Sequence, residues 1–285
     1  MIKYGNILDG KKLSDQIKLD LAKLVQDKNI VDKVGLAVVL VGDDPASHIY
    51  VNNKVKACQK IGIKSYRYHL ASDTPEYEVL NLIDNLNCDN NIHGILVQLP
   101  LPLHLNPQTV INHINSSKDV DGLCQQNVFR LIKGYDCLKP CTPQGIMKLI
   151  ELANLDLSGK HAVVVGRSDL VGKPISQILL QANCTVTTCH SFTKDLASIT
   201  KLADILVVAV GKKHLITTQH IKKGAIVIDV GINKVDGKVY GDVDFENVKF
   251  IASYITPVPG GVGPMTIATL MSNVLKAAGY LSMKD

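Results

Sequence analysis

Short apolar runs alternate with segments of helical length and periodicity along the whole chain, and this alternation is the strongest constraint on the fold. The predicted strands are rich in apolar or β-branched residues and lie at Leu36–Val41, Ser65–His69, Gly94–Gln98, Ala162–Val165, Thr185–Cys189, Ile205–Ala209 and Ala225–Asp229. Strands separated by helices can pair in parallel and be covered on both faces. We therefore expect an α/β protein with mainly parallel sheets.

A chain of 285 residues is long for one compact core, so two domains are expected. The first would comprise residues 1–122 together with the last helix and its flanks, 265–285. The second, residues 123–264, has the strand pattern of a doubly wound, Rossmann-type domain. Residues 127–143 would connect the two domains, and the active site is expected in the cleft between them.

A strand, a tight turn and a helix are predicted in succession over AVVVGRSDLVGKP, from Ala162 to Pro174. Gly166 follows the apolar strand, where backbone N–H groups at a helix N-terminus can face a phosphate. The spacing of Gly166, Ser168 and Gly172 departs from the G-x-G-x-x-G of most dinucleotide sites, so the pattern alone is a weak indicator. The prediction of a dinucleotide site depends on the strand and helix around it.

The end of the next predicted strand indicates which dinucleotide binds. Sites for NAD usually carry an acid there, about 20 residues past the glycines, that binds the ribose 2′-hydroxyl. Here the sequence is HSFTK, from His190 to Lys194, without a carboxylate. Arg167 in the turn can pair with a 2′-phosphate, which favours NADP over NAD. The alternative is that Arg167 is a solvated side chain of a surface loop.

Composition and charge exclude several classes of protein. Lys and Arg exceed Asp and Glu by 31 to 26 without a basic run, so small anionic ligands are expected and a nucleic-acid partner is not. No apolar segment is typical of a signal peptide or long enough to span a membrane. The seven cysteines lack the spacing of a zinc site, which predicts no metal and buried, reduced thiols in a cytoplasmic protein.

Four polar residues of the first domain are candidates for chemistry. Tyr50 and Lys54 lie on one face of a predicted helix, although such a pair taken alone is more often simply solvent-exposed. Gln98 ends an apolar strand, at the carboxyl edge where open α/β sheets bind ligands. Asp121 belongs to KDVDG, in which Asp119 or Asp121 by itself is an ordinary turn acid.

A loop rich in proline and glycine, TPVPGGVGPMT, runs from Thr256 to Thr266. A stiff loop with few side chains allows its backbone to approach a flat ligand closely. The alternative is a structural connector between domains, and composition does not decide between them.

Together these motifs resemble one family, the bifunctional methylenetetrahydrofolate dehydrogenase/methenyltetrahydrofolate cyclohydrolases. The resemblance runs in order over nearly the whole chain and is carried by YVNNK (Tyr50–Lys54), ILVQLPLP (Ile95–Pro102), KDVDG (Lys118–Gly122), KPCTPQG (Lys139–Gly145), GRSDLVGKP, IDVGIN (Ile228–Asn233) and TPVPGGVGPMT. It implies oxidation of 5,10-methylenetetrahydrofolate by NADP to 5,10-methenyltetrahydrofolate, then hydrolysis to 10-formyltetrahydrofolate, without a metal. The first domain would bind the folate and the second NADP.

The resemblance also implies roles for residues at the matching positions. Lys54 would transfer protons, Gln98 would be its hydrogen-bonding partner, Tyr50 would stack on the folate, and Asp121 would anchor the polar edge of the pterin. The remaining residues implied to bind the substrate are Leu99, Pro259, Gly260 and Gly261. The residues implied to bind NADP are Gly166, Arg167, Ser168, Ser191 and Ile232.

The chain departs from the family pattern after KDVDG. An aromatic residue, a His, an Asn and a Gly often follow there, whereas this chain has Leu123, Cys124, Asn127 and Phe129. Contacts of that segment are therefore not predicted. The family pattern also implies a homodimer formed through the cofactor domain.

Two other functions remain open at this point. A shikimate-type NADP dehydrogenase shares the two-domain plan and can use a Lys and an Asp, but the Tyr50 platform and the proline-glycine loop favour a flat pterin over a small polyol acid. A catalytically silent NADP-binding protein would lack acid–base groups, whereas Lys54, Gln98 and Asp121 are all present.

Overall fold

The computed structural model describes residues 5–283. Within that range the chain forms eleven strands, β1 Asn6–Ile7, β2 Gly35–Val41, β3 Lys64–Leu70, β4 Gly94–Val97, β5 His161–Val165, β6 Thr185–Cys189, β7 Ile205–Val208, β8 Ile226–Asp229, β9 Asn233–Val235, β10 Lys238–Tyr240 and β11 Tyr254–Ile255. The same range contains ten α-helices, α1 Gly10–Asp27, α2 Pro45–Ile61, α3 Glu76–Cys88, α4 Pro107–Asn112, α5 Gln125–Lys133, α6 Cys141–Glu151, α7 Gly172–Gln181, α8 Leu196–Thr200, α9 Phe245–Val248 and α10 Val262–Ala277. The predicted α/β class with mainly parallel sheets is confirmed.

The described chain divides into two compact units. The first unit comprises Asp15–Cys141 with residues 267–283, and the second comprises residues 5–14 with Thr142–Thr266. These limits differ from the predicted domain boundaries, because residues 123–141 lie in the first unit and residues 5–14 in the second. Helix α5 also occupies part of the segment predicted to connect the domains. The predicted division into domains stays a prediction.

The first unit is built on a parallel sheet in the order β3-β2-β4. Every residue of β2 is buried because alternate side chains enter two different apolar clusters. Leu36, Val38 and Leu40 pack with residues of α2 and α10, whereas Ala37 and Val39 pack with residues of α3. The carboxyl ends of β2, β3 and β4 share one edge of this sheet.

Helix α2 begins and ends on clear local signals. Asp44 caps its N-terminus by accepting a hydrogen bond from the Ser47 N–H at 2.7 Å, and Pro45 occupies the first turn. Gly62 ends the helix with a positive φ of 88°. These signals fix where Tyr50 and Lys54 stand along the helix.

The second unit has a six-stranded parallel sheet in the order β1-β11-β8-β7-β5-β6. After β5 the chain passes through α7 to β6 on one side, and then returns to place β7 on the other side of β5. This reversal is the topological switch point at which doubly wound sheets bind ligands. It lies directly after β5, where the sequence predicts the dinucleotide site.

None of the helices within residues 5–283 is both long and apolar enough to cross a membrane. All seven cysteines are free thiols, and six of them are buried. Cys88 is exposed at the end of α3, so the prediction that the cysteines are buried is wrong for this residue.

Candidate active site

Lys54 and Gln98 meet at the carboxyl edge of the first unit's sheet. Lys54 lies on α2, and its Nζ donates a hydrogen bond to Gln98 Oε1 at 3.0 Å. Gln98 follows β4 directly and is buried, while its Nε2 donates to the carbonyl oxygen of Leu99 at 2.6 Å. That second bond orients the amide so that its oxygen faces the amine. The structure thus joins two predicted site residues that are 44 positions apart.

Tyr50 is one helical turn before Lys54 on α2, and its side chain is 45% exposed. Residues four apart on a helix lie on the same face. An aromatic ring is therefore presented to solvent beside the amine, which is the arrangement that a stacking platform for a flat ligand requires.

The two acids of KDVDG have different surroundings. Asp119 is buried and accepts hydrogen bonds from the Gly122 N–H, the Cys124 N–H and Asn127 Nδ2 at 3.1, 2.8 and 3.0 Å. Burial raises the pKa of Asp119, against the lowering effect of these donors. Asp121 is only partly buried. Asp119 therefore stabilises the turn. Two of its hydrogen-bond donors, Cys124 and Asn127, belong to the segment in which this chain departs from the family pattern.

Cys141 is a neighbour of this site that the sequence did not single out for chemistry. Burial raises the pKa of its thiol well above the ordinary value, the Asp121 carboxylate raises it further, and Lys54 opposes the shift. The Cys141 Sγ donates a hydrogen bond to the Val120 carbonyl oxygen at 3.3 Å. The Cys141 thiol therefore stays protonated and uncharged, and it lies near Asp121 and Lys54.

In the second unit, the turn after β5 is shaped by close backbone packing. A side chain on Gly166 would place its Cβ 2.3 Å from the Ala209 carbonyl oxygen, and φ at Gly166 is +125°. A Cβ on Gly172 would lie 2.4 Å from the Gly166 carbonyl oxygen. Ser168 Oγ accepts hydrogen bonds from the Val171 and Gly172 N–H groups at 3.3 and 3.4 Å. Ser168 thus lies in the turn and accepts hydrogen bonds from backbone N–H groups at the start of α7.

Arg167 and Ser191 line one open pocket at the switch point, with about 910 Å³ of empty space. Gly166 and His190 line the same pocket. The Arg167 guanidinium carbon lies 5.6 Å from the centre of the Phe192 ring, a cation–π contact. The lining side chains therefore include an oriented guanidinium, the hydroxyls of Ser191 and Thr193, the amine of Lys212 and no carboxylate, which suits a phosphate group.

Ile232 lies along a separate pocket of the same unit, which is also lined by Pro259, Gly260 and Gly261. The structure thus brings Ile232 together with the proline-glycine loop rather than with Arg167. The loop is fixed in part by the N–H of Lys11, which donates to the Gly260 carbonyl oxygen at 2.8 Å.

Two buried carboxylates that the sequence analysis missed organise the loops between these pockets. Asp242 accepts hydrogen bonds from three successive N–H groups of residues 210–212 at 2.7, 3.0 and 2.8 Å. Asp229 accepts from the N–H groups of Gly231, Asp242 and Val243 at 2.9 Å each. Burial raises the pKa of Asp229 to about 6. The position of Asp229 at the end of an apolar run was the one available sequence signal.

Two models of one protein family match the chain. A family model described as tetrahydrofolate dehydrogenase/cyclohydrolase, catalytic domain, matches residues 8–121, and one described as the NAD(P)-binding domain of the same family matches residues 140–281. A curated relative, the bifunctional protein FolD of Halalkalibacterium halodurans, is 54% identical over 276 residues, which cover 95% of this chain and 98% of the relative.

Solved structures show the same similarity. The bifunctional FolD methylenetetrahydrofolate dehydrogenase/cyclohydrolase of Campylobacter jejuni is 50% identical with a TM-score of 0.94, covering 96% of this chain and 98% of that one. The methylenetetrahydrofolate dehydrogenase-cyclohydrolase of Trypanosoma brucei, complexed with NADP cofactor and inhibitor, is 34% identical with a TM-score of 0.91, covering 96% and 97% of the two chains.

Proposed function

Since the chain belongs to the tetrahydrofolate dehydrogenase/cyclohydrolase family, we propose that it is a bifunctional enzyme of one-carbon metabolism. It oxidises 5,10-methylenetetrahydrofolate with NADP and then hydrolyses 5,10-methenyltetrahydrofolate to 10-formyltetrahydrofolate. The observation that carries the proposal is the 3.0 Å hydrogen bond from Lys54 to Gln98 at the carboxyl edge of the sheet. The shikimate-type and catalytically silent alternatives are not favoured, because family models for both parts of this enzyme match the chain.

In the hydrolytic step, water adds to the methenyl carbon and the bond from that carbon to N5 breaks. Both protons of the water leave its oxygen as the formyl group forms. One proton must reach N5, and the other is released. An amine held in place can accept a proton from the water and donate a proton to N5. We assign both transfers to Lys54, and Gln98 keeps the amine in position by accepting a hydrogen bond from it.

The other first-unit residues position the substrate. The exposed ring of Tyr50 can stack on the folate, and the backbone at Leu99 follows Gln98 along the same edge. Asp121 can accept two hydrogen bonds from an amino-pyrimidine edge. The family pattern also implies that Pro259, Gly260 and Gly261 bind the substrate, and residues of these types can do so mainly through backbone groups.

The NADP site is proposed at the turn after β5. Gly166 allows the turn to pack directly against the Ala209 backbone, where a Cβ would collide. Ser168 accepts hydrogen bonds from the first N–H groups of α7, whose N-terminus would face the phosphates. Arg167 and Ser191 line a pocket suited to the 2′-phosphate. Ile232 lies nearer the proline-glycine loop, in position for the other end of the dinucleotide. When bound, NADP supplies the hydride acceptor for the dehydrogenase step.

We also propose that the enzyme works in the cytoplasm as a homodimer. Seven free thiols support a reducing compartment. Within residues 5–283, β6 is an edge strand of the second unit's sheet. This edge supports assembly through that unit, because the edge of a sheet offers backbone groups to a second copy.

Replacement of the proposed proton-transfer group tests the function directly. We expect Lys54→Met to lower the rate of methenyltetrahydrofolate hydrolysis by about 10²- to 10⁴-fold, the usual contribution of one acid–base group. NADP binding should be unchanged, because the residues proposed to hold it belong to the second unit. Loss of absorbance of the methenyl compound measures hydrolysis, and titration of protein fluorescence measures NADP binding.

The matched control is Lys56→Met, which removes an exposed lysine from the same helix. This variant should keep both activities, followed as nicotinamide reduction with methylenetetrahydrofolate and formation of the 10-formyl product. Hydrolysis that survives in Lys54→Met at the wild-type rate would exclude Lys54 as the proton-transfer group. A wild-type protein that reduces neither NADP nor NAD with this substrate would contradict the function as a whole.

A further inference from the structure

Three side chains with metal-binding atoms converge beside the turn between β2 and α2. Asp43 lies just after β2, His48 is in the first turns of α2, and His69 is near the end of β3. Because β2 and β3 are parallel neighbours with Leu40 opposite His69, the end of β3 brings His69 to the turn that carries Asp43. None of the three residues has a part in the proposed reaction.

The distances within this cluster fit a common metal ion. Asp43 Oδ1 lies 3.1 Å from His69 Nε2 and 3.6 Å from His48 Nε2, and the three atoms lie within 4.8 Å of one another. Ligand atoms of a tetrahedral zinc ion are about 3.4 Å apart when each metal–ligand bond is about 2.1 Å. The two distances to the carboxylate fall on either side of that value.

Accessibility and ring orientation also suit an ion that enters from solvent. The side chains of Asp43, His48 and His69 are 74%, 28% and 40% exposed. The two imidazole rings are 5.2 Å apart and nearly perpendicular, at 87°, so neither ring covers the other. Within residues 5–283, this is the cluster of His, Cys, Asp or Glu side chains that can share one metal ion.

We propose that Asp43, His48 and His69 bind one divalent transition-metal ion, with zinc as the ion that fits best. Two imidazole nitrogens and one carboxylate oxygen are typical ligands of zinc, and a water molecule would complete a tetrahedral site. The ion would tie the start of α2 to the end of β3, in the helix that also carries Tyr50 and Lys54. The proposal does not depend on the proposed folate activity.

Two neighbours oppose metal binding. His69 Nε2 lies 3.1 Å from the Gly42 carbonyl oxygen, which only accepts hydrogen bonds, so a metal ion must replace that contact. The second neighbour acts on His48. Arg67 Nη2 lies 3.1 Å from His48 Nδ1, and since Arg is only a donor, His48 carries its proton on Nε2 when no metal is bound. Binding through Nε2 requires the proton to move to Nδ1, which breaks the contact with Arg67. Arg67 is exposed and also donates to Asn52 Oδ1 at 3.2 Å, so it can move into solvent. Arg67→Gln should therefore tighten metal binding.

The test uses the full-length protein and two probes, zinc in calorimetric titration and cobalt(II) in visible absorption. We expect one zinc ion per chain in the wild type, and an intense cobalt spectrum of the kind that low-coordinate N and O ligation gives. His48→Gln, His69→Gln and Asp43→Asn should each weaken zinc binding at least tenfold. Zinc should also raise the melting temperature of the wild type but not of Asp43→Asn. A cooperative melting transition of Asp43→Asn shows that the variant is folded, and the unchanged melting temperature shows that it does not bind zinc.

His113→Gln is the matched control. His113 Nε2 lies 2.8 Å from Asp84 Oδ1 in the same unit, so this change removes a His–Asp contact that has no second imidazole, and zinc binding should be unchanged. The proposal would be overturned by a wild type that binds no zinc, or by equal zinc affinities and cobalt spectra in the wild type, His48→Gln and His69→Gln. Tighter binding by Arg67→Gln would support it, and weaker binding would count against the arrangement of ligands.

Discussion

Asp119 and Asp121 are two positions apart, yet their surroundings differ. Asp119 is buried and receives three hydrogen bonds. Its loss would leave the Cys124 N–H without an acceptor and weaken the turn, whereas the Gly122 N–H would keep the Asp119 carbonyl oxygen. Asp121 stays the acid proposed to contact the ligand. The sequence of KDVDG does not distinguish the two acids, because the distinction depends on Asn127, which approaches through the fold of α5.

Arg167 is the residue on which the choice between NADP and NAD should depend. We expect Arg167→Ala to weaken NADP binding by about 10- to 100-fold, the usual effect of losing a charge-assisted hydrogen bond, while the affinity for NAD changes much less. Equilibrium titration of both dinucleotides measures the difference. Lys173→Ala removes a nearby exposed charge that is paired with Asp169, and it should leave the ratio of the two affinities unchanged. Equal losses for NADP and NAD in Arg167→Ala would exclude a contact with the 2′-phosphate.

Element by element, long periodic segments are predictable from this sequence and short ones are not. The sequence pattern places β2 and β5 within one residue of their observed limits. Strands β1 and β11 have only two residues each, too few for an alternation of apolar and polar residues to be recognised. They form because neighbouring strands already provide a sheet edge, with β11 paired to β8 and β1 to β11.

At the start of β2 and β4, a histidine makes the stability of the sheet depend on pH. The Gly35 N–H donates to His93 Nδ1 at 3.1 Å, which requires a lone pair on that nitrogen. Burial lowers the pKa of His93 below its ordinary 6.5, and the charge of Lys118 adds to the effect. Because the folded pKa is lowered, the stabilisation is complete above 6.5 and is lost as pH falls through the folded pKa.

We therefore expect the wild type to lose more stability than His93→Gln when pH falls from well above to well below 6.5. Glutamine offers an acceptor oxygen that does not titrate in this range. Urea unfolding of both proteins at each pH measures the difference in the free energy of unfolding. His104→Gln, a histidine that contacts the Thr74 carbonyl oxygen outside the sheet, is the control for the substitution itself. A pH-independent difference between wild type and His93→Gln would contradict this role.

For the molecule as a whole, the edge position of β6 predicts self-association. Light scattering coupled to size-exclusion chromatography should give twice the chain mass of 31.0 kDa, and dilution should shift the protein towards the monomer. A mass of one chain at every concentration would contradict the proposed homodimer. NADP binding by such a monomer would show that the cofactor site is complete without a second copy.

Features that depend only on neighbouring residues can be predicted from this sequence. The alternation of strands and helices predicts parallel sheets, the glycine turn predicts a dinucleotide site, and helical spacing places Tyr50 and Lys54 on one face, because each follows from local periodicity and backbone sterics. The assignment of residues to two domains does not follow from local periodicity, because it depends on contacts between distant segments. Residues 5–14 share a unit with residues that follow them by more than a hundred positions.

Tertiary structure alone decided which distant residues meet. The bond from Lys54 to Gln98, the carboxylates of Asp229 and Asp242 among loop N–H groups, and the approach of His69 to Asp43 all depend on which strands are neighbours and in what register. Local periodicity contains no information on strand order, since the same elements can be arranged in several sheets. Strand order places side chains from different segments at one carboxyl edge, and the proposed chemistry of this protein depends on those meetings.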